Sequence, residues 1–446
     1  MASDLLSIAQ SGARAARAAL DVTAQNIANA ASDGYVRRSA SMQEVSAAGG
    51  LLRTGDISLS GVRISGIDRN ADMFRQAEVR RTHSDAARAT AELRGLENIE
   101  SAVEQADIFS AIVEFEGSLR QLGSDPIDPA LRAAPVAAAE TMANKFNIAA
   151  ESLNAVAEGA QFEAGAAVDQ ANVLTSELAR INVRLARAGP GSSDRASLLD
   201  QRDLMLERLS GVTNISTSFA PDGSVAVRLG GSSGPTMVEG GDARPLTMAV
   251  DGTDGTLSFA LDGNPVSPAG GSLAGHALVL QEVDTVRGKL DALASTIAST
   301  VNDAQEAGAA LNGSDGVAMF TGTTAATLQI AFRDGNLIAT APLGSLPASR
   351  NAANLTNLRA ELQNEGGAEQ MNGVLFDISS RVAGHKVTTE ALDAIASSAR
   401  ISLEQQSGVD LDTEAANLIR FQQAFQASGR AMQVASDIFQ SLLAIR

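Results

Sequence analysis

From Leu6 onward, apolar residues fall on two interleaved rows of period seven. One is Leu6, Ala13, Leu20 and Ile27; the other, three residues later, is Ala9, Ala16, Thr23 and Ala30. This 3–4 spacing marks a helix that packs along another helix. The C-terminus repeats the pattern with larger side chains. Leu411, Leu418, Phe425, Met432 and Phe439 make one row, and Glu414, Phe421, Ser428, Ala435 and Leu442 the other. Both ends are expected to be long helices, one small-faced and one large-faced, able to interdigitate. A lone alanine-faced helix is marginal in water. Ordering each residue costs about 1–2 kcal/mol of backbone entropy, whereas a buried methylene returns about 0.8 kcal/mol. Both ends should therefore fray in the isolated chain and order against neighbouring subunits.

Between the ends the pattern is mostly helical. After Gly34 come turns and strand-like stretches at 57–59 and 62–67. Helix is expected over about 72–122, with a break at 123–129 where two prolines fall, then over 131–156 and 162–188. Asp194 is the expected N-cap of a helix reaching Leu209. From 211 to 275 the period changes to two. Val225, Val227 and Leu229 alternate with smaller or polar residues, as do Leu257, Phe259 and Leu261. Asp-Gly pairs at 222–223, 251–252, 254–255 and 262–263 supply turns. Helix returns at 277–307 and again from 351, and from about 387 it continues into the C-terminal arm. The expected fold is α+β, mainly α: a nested, rod-like, multidomain chain. Residues 1–65 with 395–446 would form a terminal coiled-coil domain, 66–210 with 276–394 a helical-bundle mid-domain, and 211–275 an inserted small β domain.

Composition narrows the chemistry. Of 446 residues, 44% are hydrophobic but only 3% aromatic, with no Trp and one Tyr. Such a core favours close-packed helices over aromatic-lined pockets. The net charge of −18 argues against a nucleic-acid or anionic-membrane partner. Residues 1–81 carry ten basic and eight acidic side chains, a balance of +2 that permits dense packing of copies, so the acid lies elsewhere. No apolar run approaches the roughly 20 residues of a membrane span. The first twenty residues lack a continuous apolar stretch and carry Arg14 and Arg17 inside them, so a cleaved secretory leader is not expected. The absence of cysteine removes disulfides and thiolate chemistry. His83, His276 and His385 stand apart, Glu114 and Glu116 point to different faces of a helix, and 230–234 lacks the Gly-Lys-Ser/Thr of a phosphate loop. No catalytic, metal or cofactor site is expected.

The segment from Asn26 to Arg38 is more pointed. Asn26 and Asn29 share a helix face, and Gly34 can take the left-handed backbone that ends a helix. Either the two amides cap the helix, or they bond to a neighbouring subunit while Tyr35 anchors the chain reversal. Asn26-Ile-Ala-Asn-Ala30 followed by Gly34-Tyr35-x-Arg37 resembles the N-terminal signature of the bacterial flagellar axial family, the rod, hook and hook-associated proteins. Ser32-Asp33 stands where that signature commonly has Thr-Pro. Residues 407–414 and 417–427 are similar to the C-terminal arm of its hook–filament junction branch. Asp200-Gln-Arg-Asp203 with Leu206, Leu209 and Ser210 supports the same branch, as do Gly271-Ser-Leu-Ala-Gly275, 290–294, Val301-Asn302 and Leu311-Asn-Gly313.

The resemblance implies a structural, non-enzymatic subunit, exported unfolded by the flagellar type III apparatus to the outside of the cell. It would assemble as a homo-oligomeric ring or tube at the hook tip. Its implied partners are the hook protein, the second hook–filament junction protein and an export chaperone on the C-terminal helix. Assembly would use Leu6, Ala13, Leu20, Asn26, Ile27, Asn29, Gly34 and Tyr35 at one end. At the other it would use Leu411, Leu418, Phe421, Phe425, Met432, Ala435, Phe439 and Leu442. The alternatives are another axial protein such as the hook protein, whose middle should be mainly β, or a secreted adhesin using the β insertion.

Overall fold

The computed structural model describes residues 2–46, 59–252 and 254–444. The fold is α+β and mainly helical. Among the described residues the helices are α1 (Ala2–Ala28), α2 (Met73–Ala106), α3 (Ile108–Leu122), α4 (Pro129–Leu185), α5 (Ser193–Val212), α6 (Gly271–Glu306), α7 (Ala353–Glu365), α8 (Gly367–Ser407) and α9 (Leu411–Ala444). The strands that precede α6 are β1 (Arg38–Ser46), β2 (Leu59–Arg69), β3 (Ile215–Phe219), β4 (Val225–Leu229), β5 (Thr236–Glu239), β6 (Asp242–Ala243), β7 (Leu246–Val250), β8 (Leu257–Leu261) and β9 (Asn264–Val266). Two compact units result. One comprises Met1–Ala86, Gln170–Leu246 and Asp393–Arg446; the other comprises Ala87–Asp169 and Thr247–Leu392.

In the first unit α1 packs against α9 and against the β1–β2 hairpin. The hairpin runs from Arg38 opposite Arg69 to Ser46 opposite Leu59, with two bulges. Gly61 sits at φ +93°, and a Cβ there would lie 2.1 Å from Ser11 Oγ. Only glycine lets the strand approach α1 so closely, and the Val62 N–H then donates to Ser11 Oγ at 3.2 Å. The sheet β3-β4-β5-β6 buries Val225, Val227, Leu229, Met237 and Val238. Asn182 of α4 grips the ends of its two inner strands. It accepts from the Val225 N–H and donates to the Val225 and Gly240 carbonyls at 2.8–2.9 Å.

The second unit has a helical core. Ile99, Ile108, Ile112, Phe115, Met142, Phe146, Leu290 and Ile297 are almost wholly buried in it. Phe115 meets Phe320 edge-on at 6.1 Å between ring centroids. Small residues set how closely helices approach: a Cβ on Gly95 of α2 would fall 2.1 Å from Val279 of α6. Arg132, 1% exposed, is the largest fully buried side chain. Its guanidinium donates to the Pro126, Gly335 and Ile338 carbonyls and to Thr340 Oγ1. The sheet β7-β8-β9 lies mostly in this unit, so the strand-rich stretch after Val212 supplies two sheets.

Local departures from the sequence reading have local causes. The helix expected over 72–122 breaks at Asp107, which takes a left-handed φ of 53°. Aspartate tolerates that conformation, and Lys145 Nζ donates to its carboxylate at 2.9 Å. The two helices expected over 131–156 and 162–188 are one, α4. Its interior Gly159 is tolerated because Ala157 and Ala160 on either side are buried. The N-cap of α5 is Ser192, whose hydroxyl accepts from the Arg195 N–H, in place of Asp194. Of the strand-like stretch at 57–59, residues 57 and 58 lie outside the described residues.

Candidate assembly site at the terminal helices

The small-faced helix α1 buries Ala9, Ala13, Ala15, Ala16, Ala19, Val22, Thr23 and Asn26. Alanine at these positions lets it fit between the hairpin and α9. Leu6 is exposed, and Leu20 and Ile27 are half-buried. On α9 the two predicted rows part company. Glu414 and Ala435 are buried, and Phe421 and Ser428 half-buried, so this row faces inward. In the other row Leu418 and Met432 are half-buried, while Leu411, Phe425 and Phe439 are exposed. Ile419, Val434 and Ile438 are exposed too, leaving α9 with an uncovered apolar side. Leu442 lies in α9, but its side chain is outside the described residues.

The base of the pair is polar. α1 ends at Ala28 and the chain reverses through Gly34 at φ +74°, the left-handed value expected for it. Asn26 is 1% exposed and turns inward. Its Oδ1 accepts from Tyr35 Oη at 2.8 Å and from the Arg38 N–H at 3.0 Å. Its Nδ2 donates to the Arg38 carbonyl at 2.8 Å and to Glu414 Oε2 at 3.1 Å. The amide is thus committed within its own chain, which corrects the reading in which Asn26 bonds a neighbouring subunit. Asn29 donates to the Gln25 carbonyl, a helix-end contact. Tyr35 does anchor the reversal, with the Arg38 guanidinium 4.9 Å above its ring.

Around this point lies a charge network that the apolar rows do not disclose. Arg37 Nε donates to Glu414 Oε1 at 2.7 Å, and that glutamate side chain is 2% exposed. Arg38 and Arg69 both reach Asp200, and Arg69, Arg202 and Gln76 converge on Asp203 at 2.6–3.0 Å. Burial pushes the Asp203 carboxyl up, but Arg202 and Arg69 outweigh burial and hold it below the ordinary aspartate value. At Asp200 burial wins over Arg69 and Arg38, and the carboxyl stays raised. Burial also raises the Tyr35 phenol, against the pull of Arg38. One signal of this cluster is present in the sequence: a glutamate at position 414 in an otherwise uncharged heptad row.

The histidines sit in separate surroundings. His83 packs on Gly211, His276 Nδ1 lies 3.6 Å from Glu163, and His385 Nδ1 lies 3.6 Å from Glu92. Burial lowers the His276 pKa. Among the described residues no group of three His, Asp or Glu side chains could hold a metal ion, and no helix is long and apolar enough to cross a membrane.

One unit thus pairs helices from the two ends of the chain and leaves an apolar side of α9 uncovered among the described residues, while the other is a helical bundle, and both match flagellar axial proteins. Residues 403–445 match the family of flagellar basal body rod FlgEFG C-terminal segments, and residues 93–320 match the flagellar hook-associated protein FlgK helical domain. Flagellar hook-associated protein 1 of Escherichia coli K12 is 25% identical to the chain over a 555-residue alignment spanning all of both. The Bacillus subtilis protein of that name is 23% identical, covering 98% of this chain and 97% of its own. The Salmonella typhimurium one is 28% identical over 72% of this chain and 59% of its own. The structure of the flagellar hook junction protein FlgK from Burkholderia pseudomallei covers 74% of this chain at 15% identity, with a TM-score of 0.63. The chain belongs to the FlgK family of flagellar hook-associated proteins, and its role is structural, at the hook–filament junction of the flagellum. The hook-protein and adhesin alternatives are not favoured.

Proposed function

We propose that the chain works without catalysis, as an extracellular subunit that copies itself into a ring or tube through its terminal helices. The hook protein lies below it and the second junction protein above. Export is by the flagellar type III route, and a chaperone covers the C-terminal helix beforehand. The residues proposed for assembly are those of the two terminal rows. The observation that supports this is the split of α9 into an inward row, packed on α1, and an outward row in which Leu411, Phe425 and Phe439 are exposed among the described residues. An exposed apolar row on an otherwise strongly acidic chain is a contact awaiting a partner. Sister copies covering this row would desolvate it, so a carboxylate placed there would cost several kcal/mol in the assembly and almost nothing in the free chain. The test is Phe425→Asp in place of the chromosomal gene. Electron microscopy should show hooks that lack filaments, with filament subunits shed into the medium. Normal filaments and swimming would refute the assignment.

A further inference from the structure

Two observations on the α1–α9 pair define its register. A Cβ built on Gly12 would lie 3.9 Å from Ser428 Cβ, and Asn26 bonds Glu414. The two contacts are the same number of residues apart on each helix, in opposite directions, so the helices run antiparallel along one regular seam. On the α1 side that seam is built largely of alanine. A slip of one heptad, about 10 Å of axial travel, exchanges small residues for small residues. Apolar contact therefore separates the neighbouring registers weakly.

The polar base separates them strongly. Only in the observed register does Glu414 meet both Asn26 Nδ2 and Arg37 Nε. Slipped by seven in one direction, the carboxylate lies opposite Ala19, which offers it no donor. A buried charge without a partner is strongly disfavoured, and a single polar pair in an apolar seam is an established way of fixing register. We infer that Asn26, Arg37 and Glu414 form a register pin: they choose which alignment of α1 on α9 the chain adopts, and contribute little to whether the two helices pair. The pin positions the outward row of Leu411, Phe425 and Phe439. A pair slipped by one heptad would offer that row displaced along the axis by a full repeat. This consequence for assembly rests on the junction reading above; the register itself is a property of the single chain.

The chain has no cysteine, so any bridge reports an introduced pair alone. Gly12→Cys combined with Ser428→Cys has a Cβ separation of 3.9 Å, within the roughly 3.5–4.5 Å usual for disulfides. Gly12→Cys with Phe421→Cys, and with Ala435→Cys, report the two slipped registers. In the full-length purified chain under mild oxidation, the 12–428 bridge should dominate. With Asn26→Leu and Glu414→Leu added, its yield should fall by about half or more and the 12–421 or 12–435 bridge should appear, with helical circular dichroism retained. Glu414→Gln keeps a bond to Asn26 and should keep the 12–428 bridge dominant. The inference is overturned if the double-leucine variant still gives only 12–428, if the parent gives all three bridges equally, or if the variant loses its helix, which would make the cluster a determinant of folding. Normal filaments in the double-leucine variant, with its bridges moved to a slipped register, would count against the junction reading's use of the row and leave the pin standing.

Discussion

Replacing Asp203 by Asn isolates the charge network of the first unit. The side chain is 9% exposed and accepts hydrogen bonds from Arg69, Arg202 and Gln76. An amide of the same shape offers one acceptor and turns an NH2 group toward donors, leaving two buried guanidinium groups short of a counter-charge. Breaking a buried pair on one side costs about 3–5 kcal/mol. With a urea slope of about 2.5 kcal/mol/M, a loss of about 4 kcal/mol moves the unfolding midpoint down by about 1.6 M. Tyr35, the only tyrosine in a chain without tryptophan, sits in the same unit and bonds Asn26. Its fluorescence follows this unit selectively. The pH dependence gives a second check. Asp203 is held below its unfolded-state value, so its contribution is complete above about pH 4 and is lost as pH falls through the folded value. Asp200, raised by burial, acts with the opposite sign and takes up its proton first in the folded chain. The gap between parent and variant should therefore be constant from pH 7 to about 5 and close toward pH 3. A midpoint shift under about 0.3 M, or a gap that widens in acid, would refute the reasoning.

Three further outcomes are expected. Arg132→Met strands the carbonyls of Pro126, Gly335 and Ile338, which should cost about 3 kcal/mol and raise protease cleavage near 333–340, read by mass spectrometry. Gly95→Val drives a side chain into Val279 and should lower the circular-dichroism melting midpoint by overpacking worth about 1–3 kcal/mol; an unchanged midpoint would mean that α2 and α6 can move apart. In the free monomer, limited proteolysis should spare α1 and α9 where they pack on each other, and rapid removal of roughly the first 35 and last 40 residues would contradict that single-chain pairing and restore the frayed ends expected from the apolar rows.

The long helices were legible because their apolar rows repeat: α1 and α9 can be drawn from Leu6–Ile27 and Leu411–Phe439 alone. Which row faces inward was not legible. The outward row of α9 is the more hydrophobic, and the inward row carries Glu414, because what lies opposite is an alanine face that ends in Asn26 and Arg37. The charge network was hidden for a related reason. Arg69, Asp200 and Asp203 are ordinary surface types by composition, and apart from Arg202 beside Asp203 their partners lie more than a hundred residues away. Asp107 ended a helix with no proline or glycine to announce it, whereas the exposed Gly159 ended none because Ala157 and Ala160 beside it keep that turn of α4 packed on the core. Gly34 was readable, since a helix stop before Tyr35 calls for a left-handed residue.

Helix α1 leaves the ribosome long before its mate, α9. Until residue 414 has been made, Asn26 and Arg37 lack their carboxylate and the alanine face has nothing to lie on. A chain halted short of that residue therefore has no finished pair to offer its sisters, and stickiness is withheld until α9 is being made.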